Sequence, residues 1–361
     1  MNIPYRHRSE YQPVDVSQLR PGQSYAQLIA KRTHPIDELV RRHGRIPEEL
    51  LTPRVCPTCG GAEARYELDK DHMSLVRCGA CDLVYVSPTF DEAHYKTVYA
   101  SEDYQEIVRE LGFASHAYRV ERFGRERVAL MARHLAVEPP SPVGSRRDPT
   151  PSSAGWSVRD RGPTRRPSRP RYLDVGCSTG FVVEAARDTG WEAVGIDLNP
   201  SAIEFGTTRG LDLRTVALED AGFEDSSFDA VSLFDVLEHL IDPVGTLREC
   251  VRLLKPGGIV FMYVPNYDSA SRVLMGKDAH FIWPTHHLNY YTPVTLRDLM
   301  AREALETVYV ATEGLDLVDY LWHRRHVLGK DDGGIEEIAD QLQFFVNAGA
   351  YGKNLRLIAR R

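Results

Sequence analysis

From Arg171 onward the chain alternates short runs rich in β-formers with stretches of helical periodicity, which restricts it to a parallel sheet whose connections cross over as helices. The runs lie at 172–175, 193–196, 213–216, 230–234 and 259–264, followed by 307–311 and 355–358. The predicted architecture is α/β: a doubly wound, seven-stranded, mostly parallel sheet over 171–361. At 361 residues, 42% apolar and 26% charged, the chain has material for one large core and one small satellite.

The satellite is marked by cysteines. Four of the six fall in two C-x-x-C pairs, Cys56 with Cys59 and Cys78 with Cys81, and 18 residues separate the pairs. That is the spacing of closed, tetrahedral zinc sites. Short β-type runs at 74–77 and 83–86 bracket the pairs, so a zinc ribbon is expected over 55–90, its metal structural. A segment this short cannot fold on its own apolar surface, whereas structural zinc contributes about 10–16 kcal/mol in peptide systems. Cys177 and Cys250 have no partner at ligand spacing.

The remainder divides into three parts. An N-terminal extension spans 1–54, with an amphipathic helix expected over 25–40. A helical lead-in spans 91–137, where Val120, Phe123, Val128, Leu130 and Met131 face broadly one way. Residues 138–170 are dense in Pro, Ser, Gly and Arg, the composition of a disordered insertion. No apolar run approaches the roughly 20 residues that span a bilayer, and residues 1–10 are polar, so a cytoplasmic protein is expected. A net charge of -7 excludes any global attraction to nucleic acid or anionic membrane.

The chemistry begins where the first strand ends, at Leu173-Asp174-Val175-Gly176-Cys177-Ser178-Thr179-Gly180. Glycines at a strand-to-helix turn let a ligand approach the helix N-terminus closely. The second strand closes on Asp197, 23 positions after Asp174, where a carboxylate accepts both hydroxyls of a ribose. A dinucleotide site uses G-x-G-x-x-G under a pyrophosphate, but this loop is G-x-x-x-G with a carboxylate two residues before it. A fixed negative charge there suits a ligand carrying an ammonium and a sulfonium, as S-adenosylmethionine does.

These residues, together with Phe228-Asp229-Ala230-Val231, Phe234-Asp235-Val236-Leu237-Glu238-His239 and Leu254-Lys255-Pro256-Gly257-Gly258, resemble the successive motifs of class I S-adenosylmethionine-dependent methyltransferases. The resemblance covers 171–361. It implies the strand order 3-2-1-4-5-7-6 with the seventh strand antiparallel, and a cofactor held by Asp174, Gly176, Cys177, Gly180, Asp197 and Leu198. It further implies Ala217, Leu218 and Glu219 by the adenine, and Phe234 and Asp235 on the methionine side. Cys177 departs from the glycine usual at its position.

An acceptor pocket is expected after the fifth strand, at Phe281-Ile282-Trp283-Pro284-Thr285-His286-His287-Leu288-Asn289-Tyr290-Tyr291. A helix is expected to start at Thr292-Pro293. The stretch resembles the E-H-x-x-Y-F motif of small-molecule and sugar methyltransferases, with His286 replacing the glutamate. His287 is the expected base, with His239 and Tyr290 as further catalytic candidates; each is equally a packing residue by type. A zinc ribbon joined to this core resembles nucleotide-sugar C-methyltransferases, though these usually carry a further C-terminal domain. Methyl transfer to oxygen or carbon of a small-molecule or glycan-type acceptor follows, with nucleic acid and membrane not expected as partners. Two alternatives stand beside it. Asp235, Glu238, His239 and His287 could ligate a divalent ion in a metal-assisted O-methyltransferase acting on RNA or a small molecule. Or the ribbon and the arginine-rich segment could serve a non-catalytic binding protein.

Overall fold

A computed structural model describes residues 10–21, 34–135 and 169–361. Of the helix expected over 25–40, residues 25–33 lie outside the described residues, and a helix is present at His34–His43. All but the last two residues of the expected insertion at 138–170 also lie outside them.

The cysteine segment folds as an antiparallel ribbon. Strands β1 (Ala64–Lys70), β2 (Met73–Cys78) and β3 (Val84–Val86) form it, with Cys56 and Cys59 on the knuckle before β1. The large sheet contains β4 (Arg171–Val175), β5 (Glu192–Asp197), β6 (Leu213–Thr215), β7 (Phe228–Phe234) and β8 (Leu254–Pro265). After a short strand β9 (Asn289–Tyr290), it is completed by β10 (Glu306–Glu313) and β11 (Asn354–Arg360). Its order is β10-β11-β8-β7-β4-β5-β6, and β11 runs antiparallel to both neighbours. This is the order the resemblance implies. Strands β4, β7 and β8 read as near-continuous apolar runs because both faces of a parallel sheet are covered.

One face is covered by the helices Pro243–Leu253 and Pro293–Arg302, the second opening on Thr292 with a capping box through Thr295. The other is covered by Phe181–Asp188 and by the lead-in helix, which runs Ala114–Arg119, widens to a π segment over Val120–Gly124, and continues as Arg125–His134. At Gly124 a Cβ would sit 2.8 Å from the carbonyl oxygen of Phe181, so only glycine lets the two helices approach this closely. The buried guanidinium of Arg356 on β11 pairs with Glu126 (2.5 Å) and Glu313 (3.0 Å), tying the lead-in helix to the sheet. Between β10 and β11 lie the helices Asp316–His326 and Ala339–Ala348.

Ribbon and sheet domain are not independent bodies. Strand β9 pairs with β3, matching Val84 to Tyr290 and Tyr85 to Asn289, and the Val86 amide donates to the Leu288 carbonyl at 2.9 Å. Cys56, Cys78, Leu83 and Tyr85 sit in the same core cluster as Leu247, Leu296 and Met262. Among the described residues no helix is long and apolar enough to cross a membrane.

Candidate cofactor and acceptor cavity

The carboxyl ends of β4, β5 and β7 open into a cavity of about 970 Å³. It lies where the strand order reverses beside β4, the usual ligand position in an open α/β sheet.

At the cofactor end, Gly176 has φ 72°, and a Cβ there would meet Val236 Cγ2 at 2.4 Å. Both conformation and space therefore require glycine. Cys177 has no positive φ; the strained position is Ser178, at 49°, so the missing glycine costs no backbone strain. Gly180 is not on the cavity wall. It initiates the Phe181–Asp188 helix at φ 76°, packed on Leu213.

Asp174 is 2% exposed and accepts a 2.5 Å hydrogen bond from Ser232, whose hydroxyl lies 2.6 Å from that of Tyr172. Burial pushes its carboxyl up to about 6, against the bond from Ser232 and the charge of Arg127. Asp197 accepts from the amides of Ser178 and Asn199, both at 2.8 Å, which fix its carboxylate while leaving lone pairs for two further donors. Leu198, Leu218, Glu219, Phe234 and Asp235 all line the cavity. Asp235 holds a left-handed φ of 55° while its amide donates to Tyr263. Strain of this kind is kept where a site over-determines it.

Two arginines on the same wall escaped the sequence reading. Eight α-helical residues rotate a side chain by about 80° net, and the extra residue of a π turn takes back about 100°. Arg119 and Arg127, flanking the π segment, therefore both reach the cavity. The Arg127 guanidinium lies 4.2 Å from the Phe234 ring centroid and 4.6 Å from that of Tyr263, and acts electrostatically on both Asp174 and Asp235. Arginine inside an otherwise apolar helix face was the available signal. His116 ties the same helix to the cofactor loop, through Thr179 and Glu184, each at 2.8 Å.

At the other end, His239, Trp283, Phe281 and His287 line the wall. The Nδ1 of His287 lies 2.8 Å from the Phe281 carbonyl, and that of His239 lies 2.9 Å from the His286 carbonyl. A carbonyl only accepts, so each Nδ1 carries the proton and each neutral ring presents an Nε2 lone pair. Burial holds His239 down to about 4 and His287 well below its ordinary value, the latter with help from His239. Glu238, 1% exposed, stands beside them, and neither carboxyl oxygen has a hydrogen-bond partner among the described residues. Burial and the charge of Asp235 hold this carboxyl well above the usual range. His286 is turned away, bonded to Thr285 and stacked on Trp283.

Tyr290 does not line the cavity. It is 1% exposed on β9, and its hydroxyl accepts the Trp283 amide at 3.2 Å. The loop carrying His287 is anchored on both sides, since the Leu288 amide donates to the Glu238 carbonyl and β9 joins the ribbon. Residues of the 10–21 segment, Tyr11, Gln12, Val14, Leu19 and Arg20, form a further wall. That segment is held by Arg122 to Gln12 (2.8 Å) and by Arg20 to the fully buried Asp319 (2.8 Å).

In the ribbon, the four cysteine sulfurs lie within 4.8 Å of one another, with Cys56 to Cys81 and Cys59 to Cys78 at 3.5 Å. A tetrahedral zinc thiolate centre with bonds of about 2.3 Å spaces its sulfurs by about 3.8 Å. The Gly61 and Ala80 amides donate to Cys59 and Cys78 sulfur, stabilising thiolates. The residues fit the metal.

Residues 157–310 match a family model described as a methyltransferase domain. The chain is 38% identical to a ubiquinone biosynthesis O-methyltransferase of Xanthomonas oryzae pv. oryzae over 119 residues, 31% of this chain and 50% of that protein. It is 35% identical to a protein of the same name from Thiobacillus denitrificans, covering 38% of this chain and 65% of that one. The chain thus spans about half the length of the first of these curated relatives. Among solved structures, an S-adenosylmethionine-dependent methyltransferase of Thermotoga maritima, described as a possible histamine N-methyltransferase, matches with a TM-score of 0.41 at 15% identity. That match covers 70% of this chain and 97% of the other.

Proposed function

We propose, from the premise that residues 157–310 form a methyltransferase domain, that this protein transfers a methyl group from S-adenosylmethionine to an oxygen of a small-molecule acceptor. What carries the reading is one cavity lined by Asp174 and Asp197 from β4 and β5 and by Trp283 and His287 from the loop before β9. When bound, S-adenosylmethionine supplies a methyl carbon that an acceptor oxygen attacks as the carbon–sulfur bond breaks, the electron pair staying on sulfur.

The chain's own residues do the rest. Asp197 accepts from the ribose hydroxyls, and Asp174 and Asp235 favour the ligand's positive groups. Arg127, with Arg119 behind it, offers a guanidinium to a carboxylate. His287, neutral and with Nε2 on the cavity wall, takes the acceptor's proton, and His239 packs edge-on against its ring at a centroid distance of 4.8 Å. Trp283 and Phe281 suit a flat or ring-shaped acceptor, a glycan-type ring included. The four cysteines hold a structural zinc. The O-methyltransferase name of the relatives supports oxygen. An RNA acceptor has less support, because the 10–21 segment walls the cavity.

Incubation with methyl-labelled cofactor and a host metabolite extract tests this. A labelled small molecule is the expected result; cofactor binding with no labelled product would leave a binding protein instead. Asp197→Ala should weaken cofactor binding by at least about 100-fold, since two charge-assisted hydrogen bonds of roughly 1.5–3 kcal/mol each are lost. Calorimetry reads this directly.

The Asp174 carboxyl, at about 6, sets a pH limit. Its charged form attracts the ligand, so affinity should be constant above pH 7 and fall by up to about tenfold per unit below pH 6. Asp174→Asn should bind weakly and lose that dependence. An unchanged profile in the variant would remove the assignment.

A further inference from the structure

Lys353 and Arg20 stand on the cavity wall, and both are held by one carboxylate behind it. Asp319, on the helix Asp316–His326, is fully buried and does not itself line the cavity. Lys353 Nζ reaches one of its oxygens at 2.5 Å and Arg20 Nη1 the other at 2.8 Å. Against its burial, Lys353 and Arg20 hold this carboxyl well below the usual range. One cation would neutralise it; the second is surplus, and an unneeded charge in a buried site is costly. Asp316, the other carboxylate at this point of the helix, does not balance it. Its oxygens accept from Ser271, Gln343 and the Lys353 amide, it forms no ion pair among the described residues, and burial pushes its carboxyl up. His280, with Nδ1 3.6 Å from Asp319, is pushed down by burial and adds no charge. Lys353 is fixed by its backbone: its amide donates to Asp316 at 2.8 Å and its carbonyl accepts from the Asn266 amide at 2.7 Å. An ammonium carries three protons, and among the described residues only Asp319 takes one of them.

We infer that Lys353 and Arg20 form an anion subsite in this cavity, and that the methyl acceptor carries a carboxylate or a phosphate that they bind. The charge of Lys353 acts on both Asp235 and His287, so an anion held there belongs to a molecule beside the reacting groups and not to a remote effector. The cofactor's own carboxylate has another partner. Arg127 is 5% exposed, lies between the rings of Phe234 and Tyr263, and has neither an ion pair nor a side-chain hydrogen bond among the described residues. Residues 20 and 353 both lie outside the matched methyltransferase segment, 157–310, so this preference is set by what the chain adds to that domain. The statement about the acceptor rests on the proposed methyl transfer; the anion subsite does not.

The test uses the full chain with its ribbon zinc in place, saturated with S-adenosylhomocysteine, the spent cofactor, so that the cofactor's carboxylate position is filled and no turnover occurs. Three probes share one ring: benzoate, phenyl phosphate and the uncharged benzyl alcohol. At least one anion is expected to bind at least about tenfold more tightly than the alcohol, the discrimination of a single charge-assisted hydrogen bond. The tighter of the two anions identifies the group. Lys353→Gln and Arg20→Gln should each reduce that preference at least about threefold, with affinity for the spent cofactor within about twofold. Zinc content and cooperative unfolding identify folded variants. Equal binding of all three rings, or no saturable binding of either anion at millimolar concentration, overturns the subsite in the unaltered protein. So does a folded variant that keeps the full preference, or one that loses affinity for the spent cofactor instead. None of these readouts requires turnover, so failure to find a methylated product would remove the proposed reaction and leave the anion result standing.

Discussion

Replacing Cys78 with serine is expected to empty the four-cysteine centre, lower stability by more than about 4 kcal/mol and abolish methyl transfer. The loss should reach the acceptor site because the ribbon ends in a strand, β3, whose edge is the partner of β9. With the ribbon unfolded, Asn289 and Tyr290 lose their pairing, and the loop that carries His287 loses one of its two anchors. The same change removes Leu83 and Tyr85 from a core they share with the sheet's helices. Zinc content by elemental analysis, denaturant unfolding and turnover read the three effects. A variant that loses zinc but keeps both its stability and its turnover would show that the ribbon is an appendage.

His287→Ala should lower turnover by about 10²–10⁴-fold, the range lost with a positioned proton acceptor, while cofactor affinity stays within about twofold. The division follows from position, since His287 is carried by the loop before β9, whereas Asp174 and Asp197 stand at the carboxyl ends of β4 and β5. It also carries a pH signature. Burial holds His287 well below 6.5, so the reactive neutral form persists through the range where an exposed histidine would protonate. Turnover at saturating cofactor should therefore not fall as pH passes through 6.5. A single rate loss centred there would mean that the acting imidazole is solvent-exposed, and that His287 is not it.

The seven strands were legible because parallel strands covered on both faces leave unbroken apolar runs, and β7 and β8 are such runs. The placing of Asp174, Gly176 and Asp197 together on one cavity was legible because local chain geometry fixes them at the ends of β4 and β5. Strand β1 was not: Ala64–Lys70 alternates apolar and polar residues, but it is short, carries four charges and buries neither face fully. Nor was β9, which is two residues long and exists only because β3 offers an edge. The same limit hid Arg119 and Arg127. Their approach to the cavity depends on a π segment and on docking against a helix far along the chain, neither of which local periodicity encodes. That Tyr290 lies buried on β9 was hidden for a related reason: an aromatic pair on a loop looks alike whether it faces a ligand or a neighbouring strand.

The seam between β3 and β9 also bears on how the protein can be taken apart. The matched segment, 157–310, contains Asn289 and Tyr290 but not the strand that satisfies them. Cut out alone, it would present an uncapped sheet edge lined by large aromatic side chains, the kind of surface on which chains stick to one another. The smallest fragment worth expressing therefore starts before Cys56, and acceptor preferences grafted from a relative would have to bring the ribbon along with the loop.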